Sequence, residues 1–254
     1  MTVMKKPRKL LVMTNNQKIL CVIPARKGSK GLKNKNIKKL NNIPLIGWSI
    51  LAAKKSKLIT EVIVSTDSEK ISKISKKYGA KVPFLRPKKL ATDKSSSFSV
   101  LKHAIEFFKK KEILFDYILL LEPTSPLRDH NDIDMCIKKV LNNKIDTMVS
   151  VAQVVSQHPS FLYSFKNKDY LKPYLKNSKK LYVRRQDIKP LYYLEGSIYI
   201  SKISTLLKEK TFYHNKTCGF KLEKWKSLEI DDIDDFNLAK FYTKNFRLFK
   251  RLKK

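Results

Sequence analysis

The sequence predicts a three-layer α/β fold, in which helices cover both faces of a mostly parallel β-sheet. Short apolar runs rich in β-branched residues alternate with segments whose apolar residues recur every three or four positions. Such an alternation is typical of parallel strands, because each helix returns the chain to the edge where the next strand starts. With 254 residues, of which 42% are hydrophobic, the chain can form one such domain with an appendage, or at most two small domains.

The predicted strands are apolar runs that stop abruptly at polar or proline-containing segments. The run ILCVI ends at Pro24, and DYILLL, the most apolar run, ends at Glu122 and Pro123. Runs of this kind indicate strands that are buried on both faces. In chain order, strands are predicted at residues 19–23, 61–65, 81–85, 116–121, 147–154, 196–201 and 218–222.

The predicted helices lie between these strands and after the last of them. Residues 129–142 carry acidic side chains in their first turn, where the helix dipole favours negative charge. In residues 97–111 the apolar side chains share one face, formed by Val100, Leu101, Ala104, Ile105 and Phe108. In chain order, helices are predicted at residues 44–57, 68–78, 97–111, 129–142 and 232–245.

One region departs from this alternation. Residues 155–192 are rich in Tyr, Phe, Lys and Pro and have weak periodicity, which predicts an excursion from the sheet. We therefore divide the chain into an N-terminal extension (1–18), a main domain with this excursion (19–246) and a basic tail (247–254).

Cysteine usage and hydropathy predict the compartment. The three cysteines are far apart and form no CxxC metal pattern, which favours a reducing environment. Since no apolar run approaches the ~18–20 residues of a membrane span, we expect a cytoplasmic protein with no span.

The charge balance favours anionic partners. With 55 Lys and Arg against 22 Asp and Glu, the formal net charge is +33, which suits nucleic acid, anionic membranes or phosphorylated small molecules. However, the lysines run along the whole chain, as a general compositional bias would produce. A basic RNA-binding protein is an alternative, but RNP, KH and zinc-knuckle signals are absent, so we expect no specific nucleic-acid partner.

The segments that follow the predicted strands predict where a ligand binds. In open α/β sheets, ligands bind beyond the carboxyl ends of the strands. Four unusual segments occupy such positions, at residues 24–36, 66–67, 86–97 and 122–128.

The first of these segments, PARKGSKGLKNKN, has the features that a triphosphate requires. Gly28 and Gly31 allow sharp turns that bring backbone N–H groups to phosphate oxygens. Three cationic side chains and one hydroxyl can bind the negative oxygens: Arg26, Lys30, Lys35 and Ser29. The segment matches neither the Walker A pattern nor GxGxxG.

An acidic pair near the C-terminus predicts a Mg²⁺ site. In an extended segment, Glu229 and Asp231 are two residues apart and point to the same side. Two carboxylates beside a triphosphate suit Mg²⁺, which shares its coordination with phosphates and water. The alternative is that these residues are only N-terminal charges of the helix that follows.

Three motifs together resemble a known enzyme family. PARKGSKG followed by KN, LEPTSPLR and LEIDDIDDF resemble the cytidylyltransferases that activate nine-carbon, sialic-acid-type sugars, the CMP-N-acylneuraminate synthetases. The resemblance spans residues 19–236 and implies a Rossmann-like nucleotidyltransferase fold, with a dimerisation excursion that makes a homodimer. It also implies that CTP and a nonulosonic acid, such as sialic or legionaminic acid, react with Mg²⁺ to give a CMP-sugar and pyrophosphate.

The resemblance assigns roles to individual residues. Catalysis falls to Arg26, Lys35 and Asp231, and the metal to Glu229 and Asp231. The predicted nucleotide-binding residues are Arg26, Ser29, Lys30, Lys35, Asn36, Arg86, Ser96 and Ser97. The predicted sugar-binding residues are Glu122, Arg185, Gln186 and Glu195, with Arg185 reaching into the partner's active site.

The sequence departs from the family pattern at positions that bear on the sugar. Glu122 replaces the usual Gln, and Glu195 replaces the usual Asn. An ionised Glu only accepts hydrogen bonds, so a site built around Glu122 should prefer a sugar that presents donors, such as a modified nonulosonate. An eight-carbon ulosonate is the alternative substrate, although TSPLR and the R-Q pair before I-Y-I favour the nine-carbon branch.

Overall fold

The computed structural model describes residues 17–28, 31–155, 157–175, 184 and 188–245. Of the predicted site residues, Ser29, Lys30, Arg185 and Gln186 lie outside the described residues, as do most of the N-terminal extension and the basic tail. The strands are β1 (Ile19–Pro24), β2 (Lys39–Leu40), β3 (Ile43–Pro44), β4 (Glu61–Ser65), β5 (Tyr117–Leu120), β6 (Thr147–Gln153), β7 (Tyr163–Phe165), β8 (Leu171–Pro173), β9 (Tyr192–Lys202) and β10 (Cys218–Lys221). The helices are α1 (Leu45–Lys55), α2 (Glu69–Lys77), α3 (Ser97–Lys109), α4 (His130–Asn142), α5 (Ile203–Glu209) and α6 (Ile233–Lys244).

A six-stranded sheet forms the centre of the molecule, in the order β10-β6-β9-β5-β1-β4. β1 pairs in parallel with β4 and β5, and β10 pairs in parallel with β6. β9 runs antiparallel between β5 and β6. The predicted mostly parallel α/β sheet is therefore confirmed, and β1, β5 and β6 direct their carboxyl ends to the same edge.

Helices cover both faces of this sheet because successive strand residues point to opposite sides. In β1, Ile19 and Cys21 pack on the face that α1, α2 and α4 cover, whereas Leu20 and Val22 pack on the face that α3 covers. All four side chains are fully buried. Each buried Ile, Leu or Val contributes about 1.5–3 kcal/mol relative to an exposed one, so β1 anchors both layers.

A small hairpin brings the C-terminal helix to the carboxyl edge of the sheet. Asn41 and Asn42 connect β2 to β3 with φ angles of 48° and 68°, the left-handed conformation that two-residue hairpin turns require. The Asn41 amide donates to Thr243 Oγ1 at 2.8 Å, which joins the hairpin to α6. Since Asp232 caps α6, this contact positions the acidic segment just before it.

The predicted strand at residues 81–85 is wrong. The structure has only isolated parallel bridges there, from Ile63 to Lys81 and from Thr66 to Leu85. Pro83 lies between the two bridges and has no N–H to donate to a neighbouring strand, so pairing cannot continue through it.

The predicted excursion contains a two-stranded hairpin, β7–β8, and exposes several large apolar side chains. β9 begins at Tyr192, four residues before the predicted start at residue 196. Among the large apolar side chains that this region exposes, the most exposed are those of Phe165, Tyr170 and Tyr174. Dimerisation through this region stays a prediction. Elsewhere, none of the described helices combines the length and apolar character needed to cross a bilayer.

A buried ion cluster ties the segment before α6 to the first turn of α4. Lys226 is 5% exposed, and its Nζ lies 2.7 and 2.8 Å from the two carboxylate oxygens of Asp132. A further contact reaches Asp129 at 3.4 Å. Because Asp129 and Asp132 also cap α4, this one lysine positions both a helix terminus and the approach to Glu229.

Lys226→Ala should therefore destabilise the fold strongly. The substitution leaves the buried Asp132 carboxylate without its cation, which typically costs about 3–5 kcal/mol. Urea unfolding would measure the loss, with Lys224→Ala as a matched control because Lys224 is exposed. Equal stability of the two variants would contradict this role of Lys226.

Candidate active site

A cleft of about 500 Å³ opens at the carboxyl ends of β1 and β5. The loop after β1, residues 86–97, the segment after β5 and the acidic segment before α6 contribute to its walls. Three of the four strand-end segments singled out in the sequence therefore meet at one site. The predicted site residues that line it are Arg26, Lys35, Asn36, Arg86, Ser97, Glu122 and Asp231.

Three other described residues of the predicted site lie outside this lining. Ser96 is the N-cap of α3, where its hydroxyl accepts a hydrogen bond from Ser99 N at 3.2 Å. Glu195 is 1% exposed and lies inside the sheet. Glu229 is half-buried, and its Oε1 accepts a hydrogen bond from Thr124 Oγ1 at 3.3 Å.

The loop after β1 is held against the acidic segment by a close backbone approach. A Cβ atom on Gly31 would lie 2.5 Å from the carbonyl oxygen of Asp231, so only glycine fits there. Gly28 makes no such approach, since a Cβ atom there would meet nothing within 4 Å. Asn36 steadies the loop by donating from Nδ2 to the carbonyl of Arg26 at 3.0 Å.

Two of the cations predicted to bind phosphate, Arg26 and Lys35, already have carboxylate partners. Lys35 Nζ donates to the Ile230 carbonyl at 2.8 Å and to Asp231 Oδ1 at 3.1 Å. Arg26 forms an ion pair with Asp93, a residue that also lines the cleft. Carboxylates therefore balance the charges of Arg26 and Lys35 in the cleft.

Arg86 is the buried cation of the cleft wall. It is 6% exposed, and its Nη1 donates to the Leu90 carbonyl at 3.4 Å. Burial lowers the pKa of Arg86, although the charge of Asp67 opposes this effect. Among the described residues, its Nε and Nη2 have no hydrogen-bond partner. Unsatisfied buried donors are costly, so Arg86 favours a ligand with acceptor oxygens in the cleft.

Three carboxylates in and beside the cleft, those of Glu122, Glu229 and Asp231, influence one another's charge. Burial raises the pKa of Glu122 to about 7, and the negative charge of Glu229 adds to this effect. The pKa of Glu229 is also raised, first by burial and then by the charge of Asp231. Gly196 gives Glu229 room, because a Cβ atom there would lie 3.3 Å from Glu229 Oε2.

Arg128 belongs to this region, and no role was predicted for it from the sequence. Its side chain is buried, and its Nη1 donates to the Ser125 carbonyl. Burial lowers its pKa to about 10, and nearby negative groups, including Glu195 and Glu122, oppose that shift. Glu122 and Glu195, which depart from the family pattern at positions that bear on the sugar, therefore both lie in the field of one buried arginine. The sequence feature that could have indicated a role for Arg128 was its position at the end of LEPTSPLR.

The acidic pair fits the chemistry of a Mg²⁺ ion. Within the described ranges, no group of three or more His, Cys, Asp or Glu residues could hold a metal alone. Mg²⁺ does not need such a group, since one or two carboxylates commonly bind it together with substrate phosphates and water. Glu229 and Asp231 supply that donor set next to the cleft.

Comparisons with known proteins identify the family of this chain. The profile of the family described as Cytidylyltransferase matches residues 20–251. An N-acylneuraminate cytidylyltransferase from Escherichia coli O18:K1:H7 is 38% identical over 87% of this chain, although the chain spans only 51% of that relative. A CMP-N,N'-diacetyllegionaminic acid synthase from Legionella pneumophila is 37% identical over 87% of this chain and 94% of the relative. A solved CMP:2-keto-3-deoxy-manno-octonic acid synthetase with CTP shares the fold, with a TM-score of 0.65 at 16% identity, over 90% of this chain and 99% of that one.

Glu122→Gln should change how the stability of the protein depends on pH. In the parent, the carboxyl has a pKa of about 7 when folded, above its unfolded value near ~4.3. Folding therefore favours the protonated form, and stability falls as pH rises through this window. The glutamine variant does not titrate there, so its stability relative to the parent should increase from pH 5 to pH 8, by up to about 3 kcal/mol.

Urea unfolding at both pH values measures this difference. Glu106→Gln is the matched control, because Glu106 is exposed on α3. If Glu106→Gln and Glu122→Gln show the same pH dependence, burial does not perturb Glu122.

Proposed function

The chain belongs to the cytidylyltransferase family, and we propose that it joins CTP to a nonulosonic acid to give a CMP-sugar and pyrophosphate. The nonulosonic acid is sialic acid or a relative such as legionaminic acid, as the similarity to enzymes of both kinds supports. The observation that carries the proposal is the cleft itself. It combines the buried donors of Arg86 and the cations Arg26 and Lys35 with a cluster of carboxylates.

The proposed chemistry is an in-line displacement at phosphorus. The oxygen of the anomeric hydroxyl bonds to the α-phosphorus of CTP, the bond between this phosphorus and pyrophosphate breaks, and the hydroxyl proton passes to solvent. Arg26 and Lys35 stabilise the charge that develops on the departing pyrophosphate. Asn36 positions Arg26 by holding its backbone carbonyl, and preorganised cations of this kind supply much of the rate enhancement in phosphoryl transfer.

We assign Mg²⁺ to the carboxylates of Glu229 and Asp231. When bound, the ion neutralises charge on the triphosphate and orients it. Thr124 positions the Glu229 carboxylate by a hydrogen bond. Gly196 leaves room for this carboxylate because glycine has no side chain.

The sugar is assigned to the side of the cleft that Glu122 forms. Glu195 supports this side from inside the sheet. Arg185 and Gln186, which lie outside the described residues, keep their predicted sugar-binding roles, with Arg185 reaching in from a second subunit. A homodimer is part of the proposal because the excursion exposes Phe165, Tyr170 and Tyr174, a concentration of aromatic surface that a partner subunit would cover. The proposed use of CTP and the free cysteines favour a cytoplasmic enzyme. The absence of RNA-binding motifs favours an enzyme with no nucleic-acid partner.

Incubation of the full chain with CTP, Mg²⁺ and a panel of acidic sugars tests the proposal, with CMP-sugars detected by mass spectrometry. The panel includes N-acetylneuraminate, legionaminic and pseudaminic acids and an eight-carbon ulosonate. Turnover of a nine-carbon acid supports the proposal, and turnover of the eight-carbon acid alone contradicts it.

Arg26→Ala should nearly abolish this turnover without unfolding the protein. It removes a cation from the departing pyrophosphate, and the loss of one such contact commonly costs about 2.7–4 kcal/mol of transition-state stabilisation. The measurement is kcat/KM for CTP, with circular dichroism to verify folding. Activity within about threefold of the parent would remove Arg26 from the mechanism.

Asp231→Asn should weaken Mg²⁺ activation more than CTP binding. The amide preserves the shape of the side chain but loses the charge that a hard cation prefers. Rates measured across a Mg²⁺ titration, together with CTP affinity in calorimetry, separate the two effects. An unchanged Mg²⁺ activation curve would make the acidic segment purely structural.

The chain should be a dimer in light scattering, and Phe165→Asp should shift it towards monomer. Phe165 is 71% exposed on β7. If the excursion forms the dimer interface, an aspartate at this position would be buried without a partner and would destabilise the dimer. Leu114→Asp is the control, since Leu114 is 64% exposed in the turn after α3. A monomeric parent with full activity would exclude the arrangement.

A further inference from the structure

An ion pair crosses the mouth of the cleft between two loops. Arg26 lies in the loop after β1, and Asp93 lies in the turn before α3. Their side chains are 33% and 41% exposed, so the pair is in contact with solvent. Ion pairs in such positions contribute little to stability, and a stronger anion can displace the carboxylate.

Asp93 is held in place by its own turn. Ser95 N donates to the Thr92 carbonyl at 3.2 Å, and Thr92 N donates to Ser95 Oγ at 3.2 Å. Ser95 Oγ also donates to the Lys89 carbonyl at 3.2 Å. These bonds close the turn around Asp93, so its carboxylate is presented to Arg26 by a defined local structure.

The pair differs from the other cation–carboxylate contact of the cleft. Asp231, the partner of Lys35, has an assigned role as a metal ligand and can stay beside bound phosphates. Asp93 has no such role, and its negative charge would lie next to the phosphates that Arg26 binds. A triphosphate therefore gains Arg26 only by displacing Asp93, and like charges at short range disfavour keeping both.

We propose that Asp93 competes with the terminal phosphates of the nucleotide for Arg26. The inference rests on the proposed function, since it requires Arg26 to bind phosphate. Asp93 lowers the affinity of any ligand that places phosphates at Arg26, and CTP and the product pyrophosphate share this property. When pyrophosphate departs, the carboxylate returns to Arg26, which favours product release. Asp93 is thus a residue that sets affinity through Arg26, and it does not touch the reacting atoms.

Calorimetric titration of the full chain at a fixed Mg²⁺ concentration tests this competition. In Asp93→Asn, the dissociation constants of CTP and of inorganic pyrophosphate should both fall by about threefold or more. The dissociation constant of CMP should stay unchanged, because CMP lacks the terminal phosphates. In an Arg26→Ala background, Asp93→Asn should have no effect on CTP affinity, since the cation for which Asp93 competes with phosphate is gone.

Asp146→Asn is the matched control. Asp146 pairs with Lys202 at 2.6 Å with similar exposure, at the amino end of β6, on the edge of the sheet opposite the cleft. Asp146→Asn changes the net charge of the protein by the same amount as Asp93→Asn. If Asp146→Asn also bound CTP more tightly, the effect of Asp93→Asn would come from net charge alone, and the inference would be overturned.

Three further outcomes would also overturn the inference. Unchanged CTP binding in Asp93→Asn would show that Asp93 does not affect the affinity. Weaker CTP binding would show that Asp93 positions Arg26 for phosphate. An equal gain for CMP would place the effect away from the terminal phosphates. Absence of CTP binding by the parent would overturn the proposed function itself, whereas CTP binding that is insensitive to Asp93→Asn would leave that function standing.

Discussion

The cleft depends on one contact between segments that lie 196 residues apart in sequence, the ion pair of Lys35 with Asp231. Lys35 also donates to the Ile230 carbonyl, and Gly31 approaches the Asp231 carbonyl so closely that no side chain fits. Together these contacts fix the loop after β1 against the chain that enters α6. Because a loop with two glycines and four lysines has high conformational entropy, this anchoring is what gives its cations a defined position.

Local charge balance, not the total charge of +33, determines what the cleft can bind. Arg26 and Lys35 each face a carboxylate, whereas Arg86 is buried with donors that no described residue accepts. A ligand with many acceptor oxygens satisfies Arg86 directly and must compete for the other two cations. The cleft therefore discriminates among anions by where their charges lie, which a diffuse basic surface cannot do.

The sequence predicts most of the sheet and much of the cleft, because both follow from local patterns. Residues 61–65 are a strand as predicted, since EVIVS combines β-branched residues with an abrupt polar end. The prediction fails at residues 81–85, where Pro83 interrupts pairing in an otherwise apolar segment. Asp93 and Arg128 received no role because their significance lies in partners that are distant in sequence, and spacing alone does not indicate such partners.

The environment of Arg128 explains how the chain holds two carboxylates at positions where the resemblance implies amides. A buried carboxylate without a cation is costly, and Glu195 is almost fully buried. The Ser197 hydroxyl donates to one of its oxygens, and the positive charge of Arg128 offsets part of the cost for both Glu195 and Glu122. Burial still raises the pKa of both acids, which means that the arginine compensates for them only in part. A ligand that brings hydrogen-bond donors to Glu122 would lower the electrostatic cost that remains for its charged form. The charge of Arg128 and the hydrogen-bonding groups of the ligand therefore act on the same carboxyl group.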